Sequence, residues 1–300
     1  MKQVIIALFC SSIGISVVVA QEYEHKIHFD NLDDEVNPIA VIDSIKHENV
    51  AGNTLKIIYF SDGATQSFTV ASIDSVTFAE IITSGVCPTS GIVSDIEGNE
   101  YLTVAIGNQC WMAENLLSAT YNNGDEIPNV LPNSEWQELS TGAWSFYNHD
   151  GGNEVPFGKL YNWYAVDDNR NVCPSGWHVP SDEEWKILEV TLGMSPEEAN
   201  EMFWRGGLEG VGSKLKSVGT EHWSIPNADA TNESGFTALP GGFRVDSGSF
   251  DQIFSNGHFW TSTESSESHA WRRNLSTVSE GVERLTNNKK SGRAVRCVKD

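Results

Sequence analysis

The stretch CPSGWHVPSDEEW, residues 173–185, indicates the fold most directly. Ser181 and Glu184 form a capping box, in which the hydroxyl accepts from a first-turn amide and the carboxylate reaches back to the cap. Three acidic residues in this turn also suit the positive end of a helix dipole. Trp185 and Leu188 share one face at i and i+3. We therefore predict an amphipathic helix that begins after Ser181.

A second helix start and several short strands follow. Ser195 precedes Pro196, which favours the first helical position, and we predict that this helix ends at Gly206–Gly207. Strand-like runs then cover residues 236–239, 242–245, 259–263, 270–275 and 294–298. Two helices followed by several strands predict an α+β domain.

Towards the N-terminus, two glycine-containing turns predict hairpins. Asp62-Gly63 follows the strand-like run 55–60, and Gly98-Asn99 precedes the run 100–106. All ten tryptophans lie between Trp111 and Trp271, so a domain boundary is expected before them. We predict a small β unit with a polar leader over residues 21–80, a linker over 81–90 and the main domain over 91–300.

Residues 1–20 have the pattern of a secretory signal peptide. One lysine precedes an apolar stretch from Val4 to Ala20, with small residues before Gln21. The alternatives are a retained membrane anchor, which serines and a glycine in the stretch disfavour, and lipid attachment at Cys10, where Phe9 replaces the usual small residue. We expect cleavage after Ala20, export to the periplasm, the outer surface or the medium, and no transmembrane segment afterwards.

The charge balance excludes one class of partner. Nineteen basic and 41 acidic residues give a formal net charge of −22. Nucleic acid binding requires a cationic surface, so nucleic acid is not expected as a partner. With only 20% charged residues and many glycines, a long coiled coil is excluded as well.

Cleavage after Ala20 leaves four cysteines, Cys87, Cys110, Cys173 and Cys297. An even number in an exported chain predicts two disulfides, and four cysteines allow three pairings among which spacing does not choose. Zinc binding is disfavoured because no C-x-x-C pair occurs.

The sequence has none of the common catalytic signatures: no G-x-S-x-G elbow, no H-E-x-x-H helix and no Walker loop. Paired carboxylates could serve glycoside hydrolysis, and the loop-rich half contains Asp229, Glu233, Glu264 and Glu267, but 41 acidic residues make such pairs easy to find by chance. We therefore predict that the protein is not an enzyme and has no cofactor, calcium excepted.

Two sets of residues are candidates for binding. Five aromatic residues in the loop-rich half are predicted to include exposed rings that stack on sugars: Trp144, Tyr147, Trp163, Trp223 and Trp271. The alternative is that these rings belong to the core. Four residues offer side-chain oxygens at alternate positions, as calcium prefers: Asn227, Asp229, Thr231 and Glu233. The alternative is a turn held by Asx hydrogen bonds.

Six motifs carry a family resemblance. They are DIEGN…IGNQCWMAENL over residues 95–116, GKLYNWYAV over 158–166, the stretch 173–185, GFTALPGGFR over 235–244, FWTSTE over 259–264 and VRCVKD over 295–300. In this order they resemble the Fibrobacter succinogenes major paralogous domain, a family of exported bacterial domains, over about residues 87–300. The N-terminal run 70–78 is similar to short β segments that precede cell-surface domains in Bacteroidetes-like bacteria.

More distantly, residues 177–185 and 292–296 resemble the formylglycine-generating-enzyme-like branch of the C-type lectin fold. The resemblance implies a compact α+β domain whose last strand returns beside its beginning. It also implies the disulfides Cys173–Cys297 and Cys87–Cys110. A formylglycine-type oxidase would need a reactive cysteine pair near its groove, and these four cysteines are better explained as structural.

These observations together predict an exported, non-catalytic binding module of the bacterial envelope or surface. We expect it to hold a glycan or a surface partner through its aromatic and Asn/Asp-rich loops. The alternative is a structural or adhesive envelope protein without a small ligand. An enzyme on a formylglycine-type scaffold ranks third.

Overall fold

The computed structural model describes residues 87–88 and 90–300 with their side chains and, before them, the backbone of seven strands within residues 5–79. The chain divides into two compact units, Met1–Ser84 and Gly85–Asp300. The predicted cleavage site after Ala20 and most of the predicted linker lie outside the described residues. No helix in the described part of the chain is long and apolar enough to cross a membrane.

The first unit is built from antiparallel strand pairs. Its strands are β1 (Ile5–Phe9), β2 (Ile15–Val17), β3 (Ile27–Phe29), β4 (Ile42–Val50), β5 (Asn53–Phe60), β6 (Thr65–Thr69) and β7 (Ser75–Ala79). β4, β5 and β6 form a three-stranded sheet, β1 pairs with β7, and β2 pairs with β3. The antiparallel pairing of β5 with β6 confirms the hairpin predicted around Asp62-Gly63, although residues 61–64 themselves are outside the described set.

The second unit is mixed α+β, with many strands and a few short helices. Its strands are β8 (Ile92–Ser94), β9 (Glu100–Ile106), β10 (Gln109–Met112), β11 (Trp144–Ser145), β12 (Leu160–Tyr161), β13 (Trp177–His178), β14 (Phe203–Arg205), β15 (Gly241–Arg244), β16 (Phe250–Ile253), β17 (Asn256–Ser266), β18 (His269–Ser276), β19 (Val282–Asn288) and β20 (Val298–Lys299). Its helices are α1 (Asn133–Trp136), α2 (Glu154–Phe157), α3 (Trp163–Val166), α4 (Asp182–Thr191), α5 (Pro196–Ala199) and α6 (Val211–Leu215).

Two larger sheets organise this unit. The five-stranded sheet has the order β13-β20-β10-β9-β8, and the six-stranded sheet has the order β14-β19-β18-β17-β15-β16. In the first sheet Val298 pairs with Trp111, so the last strand lies beside the beginning of the domain, as the resemblance implies. The hairpin predicted at Gly98-Asn99 is confirmed by the pairing of β8 with β9. The finer prediction of a C-type-lectin-like fold stays a prediction.

Helix α4 begins as the sequence predicts. The Ser181 hydroxyl accepts from the Glu184 amide, and the Glu184 carboxylate accepts from the Ser181 amide, which completes the capping box. Glu184 also contacts His178 Nε2 at 2.8 Å, while Asp300 contacts His178 Nδ1 at 2.6 Å. The helix start, β13 and the chain end are thus joined through one imidazole.

Aromatic rings fill the core beneath α4. Trp185 is fully buried and packs edge-to-face against Trp111 and Phe236, with ring centroids 5.0 and 5.6 Å apart. Phe259 from β17 closes the cluster at 5.8 Å from Trp185. Edge-to-face pairs of this kind add to the free energy gained from burial alone. A second buried cluster packs around the disulfide of Cys173 with Cys297.

The two disulfides join Cys87 to Cys110 and Cys173 to Cys297. These are the pairs that the family resemblance implies. The first closes a separation of 23 residues at the entry to the domain, and the second closes 124 residues. Because longer loops lose more entropy on closure, the second bond restricts the unfolded chain more strongly.

Three predicted elements differ from the structure. The helix that starts at Pro196 ends at Ala199 rather than at Gly206–Gly207, because the next residues form β14 and pair with β19. Residues 236–239 are not a strand; Ala238 makes only an isolated bridge to Lys216. The terminal strand spans Val298–Lys299 alone. At residues 203–205 tertiary pairing overrides local propensity, whereas residues 236–239 and 294–297 form no continuous ladder and make isolated bridges only.

Candidate functional site

The structure buries most of the aromatic residues predicted to contact sugars. Trp163 and Trp223 are each 1% exposed, Trp144 is 7% exposed and Tyr147 is 8% exposed. Trp271 is half-buried, and the guanidinium of Arg284 covers its ring at 3.6 Å from the centroid. The expectation of an exposed stacking ring is therefore wrong at the four buried positions, where the alternative that the rings pack internally is observed, and at Trp271 a neighbouring guanidinium covers the ring.

Hydrogen bonds of the indole groups show why these rings face inward. Nε1 of Trp144 donates to the Ile127 carbonyl at 2.8 Å, and Nε1 of Trp163 donates to the Thr261 carbonyl at 2.9 Å. Trp223 Nε1 donates to a backbone carbonyl in the same way. A buried indole needs such a partner, and each ring ties a loop to the framework.

The structure does not assemble the predicted calcium loop either. Asn227 is buried and its side-chain amide donates to the Ser217 and Gly219 carbonyls at 3.0 and 2.7 Å, whereas Asp229, Thr231 and Glu233 are exposed. No group of three or more His, Cys, Asp or Glu side chains within the described ranges is placed to hold a metal ion. The Asn227 side chain thus joins its loop to residues 217–219 and, since its Oδ1 accepts no hydrogen bond from the described residues, does not form an Asx turn.

A cation of the protein itself already occupies the carbonyl oxygens beside this loop. The ammonium of Lys216, which is 0% exposed, donates to the carbonyls of Ala228, Ser276 and Ser279 at 3.0, 3.0 and 2.8 Å. Burial lowers the pKa of Lys216 to about 8, while the charges of Glu280 and Asp229 oppose the change. The positive charge beside these carbonyl oxygens is therefore supplied by the side chain of Lys216.

The two faces of the six-stranded sheet differ in chemistry. One face packs against α4 through a closed ionic network, in which Arg273 contacts Asp182 at 2.7 Å and Glu189 at 2.6 Å. Arg205 and Arg284 complete the pairing of these two carboxylates. Each charge in this network has a partner of opposite sign, so the network is structural.

The opposite face of this sheet carries a second set of charged and polar side chains, which have fewer hydrogen-bond partners. We call it the polar sheet face and define it by His258, Arg272, Asn274, Glu283 and Arg293. His258 on β17 is paired with Asn274 on β18, which is paired with Glu283 on β19. Paired residues on neighbouring strands point to one side of a sheet, so these side chains form a row. Glu283 accepts from Arg272 Nη1 at 2.6 Å and from the Asn274 amide at 3.1 Å.

Several buried polar atoms of this face find no hydrogen-bond partner among the described residues. They are Nε of Arg272, Nε and Nη1 of Arg293 and Nδ1 of His258. The three residues are 7%, 1% and 4% exposed. Buried polar groups are paired in the great majority of native structures, so four unpaired atoms in one buried cluster are unusual.

His258 presents an acceptor to this region. Its Nε2 lies 2.7 Å from Oε1 of Gln252, to which it donates, so the proton is on Nε2 and Nδ1 is free to accept. Burial and the charges of Arg293 and Arg272 lower the pKa of His258 well below its usual value. The imidazole is therefore neutral at physiological pH, and the face combines one free acceptor with free guanidinium donors.

An exposed indole lies at the outer end of the row. Trp204 on the edge strand β14 is paired with Glu283 and is 43% exposed. Its neighbour Phe203, paired with Arg284, is 63% exposed on the other side of the strand and has a left-handed backbone, φ 69°. The row His258–Asn274–Glu283–Trp204 thus runs from a buried polar interior to an exposed aromatic ring.

Sequence reasoning missed this face, although one signal was present. Seven of the eight arginines lie between Arg205 and Arg296, in a chain whose net charge is strongly negative. All seven are buried. The predicted strand 270–275 contains the adjacent residues Arg272 and Arg273, which point to opposite faces, and a charge that a strand carries into the interior requires partners.

Comparisons with known proteins identify the family. The family model of the Fibrobacter succinogenes major domain matches residues 104–299. No curated protein and no solved structure matches the chain. The match spans most of the second unit and well over half of the sequence, and the chain belongs to the Fibrobacter succinogenes major domain family.

Proposed function

We propose that this chain is an exported, non-catalytic module that binds a saccharide on the polar sheet face. The observation that carries the proposal is the outer end of the row, where the half-exposed indole of Trp204 lies beside the partly exposed Glu283. Binding sites for small polar ligands combine apolar ring surface with a few placed polar groups, and this face offers both.

The chemistry of the row suits a hydroxylated ligand. A flat indole face complements the C–H faces of a sugar ring, and the neighbouring carboxylate of Glu283, which is partly exposed, can accept from a ring hydroxyl. Arg272, Asn274 and Glu283 fix one another through hydrogen bonds. The groups are therefore held in place before a ligand arrives, which reduces the entropy lost on binding.

Export is part of the proposal. The apolar segment over residues 1–20 has the pattern of a signal peptide, and disulfides such as Cys87–Cys110 and Cys173–Cys297 form in oxidising compartments. We place the protein in the periplasm, on the outer surface or in the medium, with a C-type-lectin-like domain as its binding unit.

A second candidate function is adhesion without a small ligand. It is favoured by the free edge of β14, where Met202, Phe203 and Leu208 are 43%, 63% and 100% exposed. An edge strand with exposed apolar side chains is a surface on which another chain can pair. If adhesion is the function, the partner chain would contact Phe203 and would not contact the row that ends at Trp204.

An array of neutral and acidic oligosaccharides tests the proposal with the full, oxidised chain. Trp204→Ala should weaken retention by at least about tenfold, since aromatic anchors carry much of a binding free energy. Phe203→Ala is the matched control, because it removes an adjacent exposed ring from the other side of the strand, and it should leave retention unchanged.

Equal retention by wild type and Trp204→Ala would contradict the proposed site. A folded chain that retains no saccharide would favour the adhesive function instead. Near-ultraviolet circular dichroism of each variant establishes that the buried aromatic core is intact.

A further inference from the structure

Exposed apolar side chains occur at the end of the six-stranded sheet where β17 begins and β18 ends. We call this region the loop cluster and define it by the segments 217–230, 251–257 and 276–281. Four of its large apolar side chains are exposed, and the exposed fractions are 61% for Val218, 83% for Ile225, 47% for Phe254 and 71% for Val278. Single exposed apolar residues are common on protein surfaces, so what matters is whether these four lie together.

The buried residue Thr277 holds the three segments together. Its hydroxyl donates to the Ser224 carbonyl and accepts from the Asn227 amide at 3.0 Å. Its amide donates to the Ser255 carbonyl at 2.9 Å, and the Ser224 amide donates to the Phe254 carbonyl at 2.7 Å. The three segments therefore meet at one residue.

These bonds bring the exposed side chains onto neighbouring stretches of backbone. Val278, Ile225 and Phe254 are each next in sequence to a residue that forms one of the bonds. The fourth residue, Val218, lies between the two backbone carbonyls that accept from the Asn227 side chain. The four side chains thus extend into solvent from one framework. Apolar surface concentrated in this way, with charged residues beside it, is typical of an interaction site.

The loop cluster is also acidic. Its three segments contain no lysine or arginine and four exposed carboxylates, those of Glu221, Asp229, Asp251 and Glu280. The buried ammonium of Lys216 binds two carbonyls of the segment 276–281 from the inside. One inward positive charge is therefore outnumbered by four negative charges on the outside. The surface combines exposed apolar side chains with negative charge.

We propose that the loop cluster docks a polypeptide partner whose contact surface carries apolar side chains flanked by lysine or arginine. Burial of the apolar side chains supplies binding free energy, and the basic residues of the partner meet the carboxylates. The surface shares no residue with the polar sheet face. The inference therefore does not depend on the proposed saccharide function.

Charge complementarity favours this partner over two others. A second copy of the chain would bring the same carboxylates to the interface, and like charges placed opposite each other oppose association. A bilayer with anionic lipids attracts basic segments and repels carboxylates. A basic polypeptide with apolar side chains matches both features of the surface.

The test measures the affinity of the full, oxidised chain for a labelled peptide of alternating leucine and lysine by fluorescence anisotropy. Two comparison peptides of equal length have glutamate in place of lysine or serine in place of leucine. Sodium chloride at about 150 mM screens attraction beyond about 8 Å, which weakens binding that depends on net charge alone. The leucine–lysine peptide should bind about tenfold or more tightly than either comparison peptide.

Two pairs of variants locate the binding surface. Ile225→Ser should weaken binding of the leucine–lysine peptide about fivefold or more, whereas Ile187→Ser, at a half-exposed isoleucine on α4, should leave it unchanged. Glu280→Lys should weaken binding several-fold, whereas Glu100→Lys, on β9, should have little effect. Both substitutions of glutamate change the net charge equally, so any difference between them reports the position of the charge.

Four outcomes would overturn the inference. Binding of the leucine–lysine peptide no tighter than that of the glutamate peptide would remove the basic partner. Equal effects of Ile225→Ser and Ile187→Ser, or of the two lysine variants, would place binding elsewhere on the acidic surface. A dimer in sedimentation that Ile225→Ser dissociates would identify a second copy as the occupant. Retention on phosphatidylcholine vesicles that Ile225→Ser abolishes would identify a membrane.

Discussion

The ammonium of Lys216 joins three segments of chain at one point. It donates to a carbonyl after the cis bond at Ile225–Pro226, through Ala228, and to two carbonyls at the end of β18, through Ser276 and Ser279. All three donors of the group are used, and the side chain is completely buried. Lys216 therefore stabilises the loop in which the sequence predicted a bound calcium ion.

Replacement of Lys216 by methionine should lower the free energy of unfolding by about 2–4 kcal/mol, because one buried and two partly buried carbonyls lose their donor while the apolar volume is kept. Urea denaturation measures the change. Lys214→Met is the control, since Lys214 donates to the Leu192 carbonyl and a loss of about 1 kcal/mol or less is expected. Equal losses for the two variants would contradict the role given to Lys216.

His178 should make stability depend on pH. The hydrogen bond to Glu184 raises the pKa of His178 to about 9, with a further contribution from Asp300, against the opposing effect of burial. The folded protein therefore binds more protons than the unfolded chain between about pH 6.5 and 9. Stability from this group is fully present below about pH 6.5 and is lost as pH rises through 9.

Thermal unfolding at pH 6, 7.5 and 9 measures this dependence. The wild type should lose melting temperature across the series, and His178→Gln should lose less, because glutamine does not titrate. A steeper decline in His178→Gln than in the wild type would show that the imidazole is not the titrating group.

At the scale of elements, helix α4 is fixed to the six-stranded sheet by charge as well as by packing. Glu189 is 0% exposed and accepts from Arg273 Nε at 2.6 Å and from Arg205. Two strands, β14 and β18, are thereby tied to one helical residue. Removal of that residue's charge leaves the buried guanidinium of Arg205 without the carboxylate it pairs with, while Arg273 keeps only Asp182.

Glu189→Gln should lower the free energy of unfolding by about 3–5 kcal/mol, the usual consequence of breaking a buried ion pair on one side. Ser181→Ala removes the cap of the same helix and should lower it by only about 1 kcal/mol. Guanidinium denaturation of both variants measures the two losses. A smaller loss for Glu189→Gln than for Ser181→Ala would show that the network contributes little to stability.

The elements also show what a sequence can and cannot predict. The start of α4 was predictable because its signals at Ser181 and Glu184 are local. The end of α5 was not predictable. Residues Phe203–Arg205 form a strand because they pair with β19, which lies far along the chain. Caps are determined by neighbouring residues, whereas edge strands are determined by their partners.

For the whole molecule, the main feature is the separation of its charges. The chain has a net charge of −22, yet its seven arginines from Arg205 onward are all buried. These seven positive charges lie inside the second unit. The net charge on the surface of that unit is therefore more negative than the composition suggests. Aromatic residues could be counted in the sequence, but which of them pack and which stay exposed depends on the register of β14 and β19.

Acidic self-repulsion should make stability rise with salt. An increase of ionic strength from about 10 mM to about 150 mM shortens the screening length from about 30 to about 8 Å, which weakens repulsion between surface carboxylates. Buried pairs such as Arg273–Asp182 are screened much less. The melting temperature should therefore rise by a few degrees in sodium chloride, as calorimetry would show, and a fall would contradict this charge distribution.

The central claim is that the polar sheet face binds a saccharide, and the indole resonances of the full, ¹⁵N-labelled chain test it most directly. The oligosaccharide retained most strongly on the array is titrated into the protein. The account predicts that the Trp204 indole signal, assigned by its loss in Trp204→Ala, shifts with saturation, while those of the buried Trp163 and Trp223 do not. A shift confined to other indoles, with Trp204 unchanged, would contradict the account.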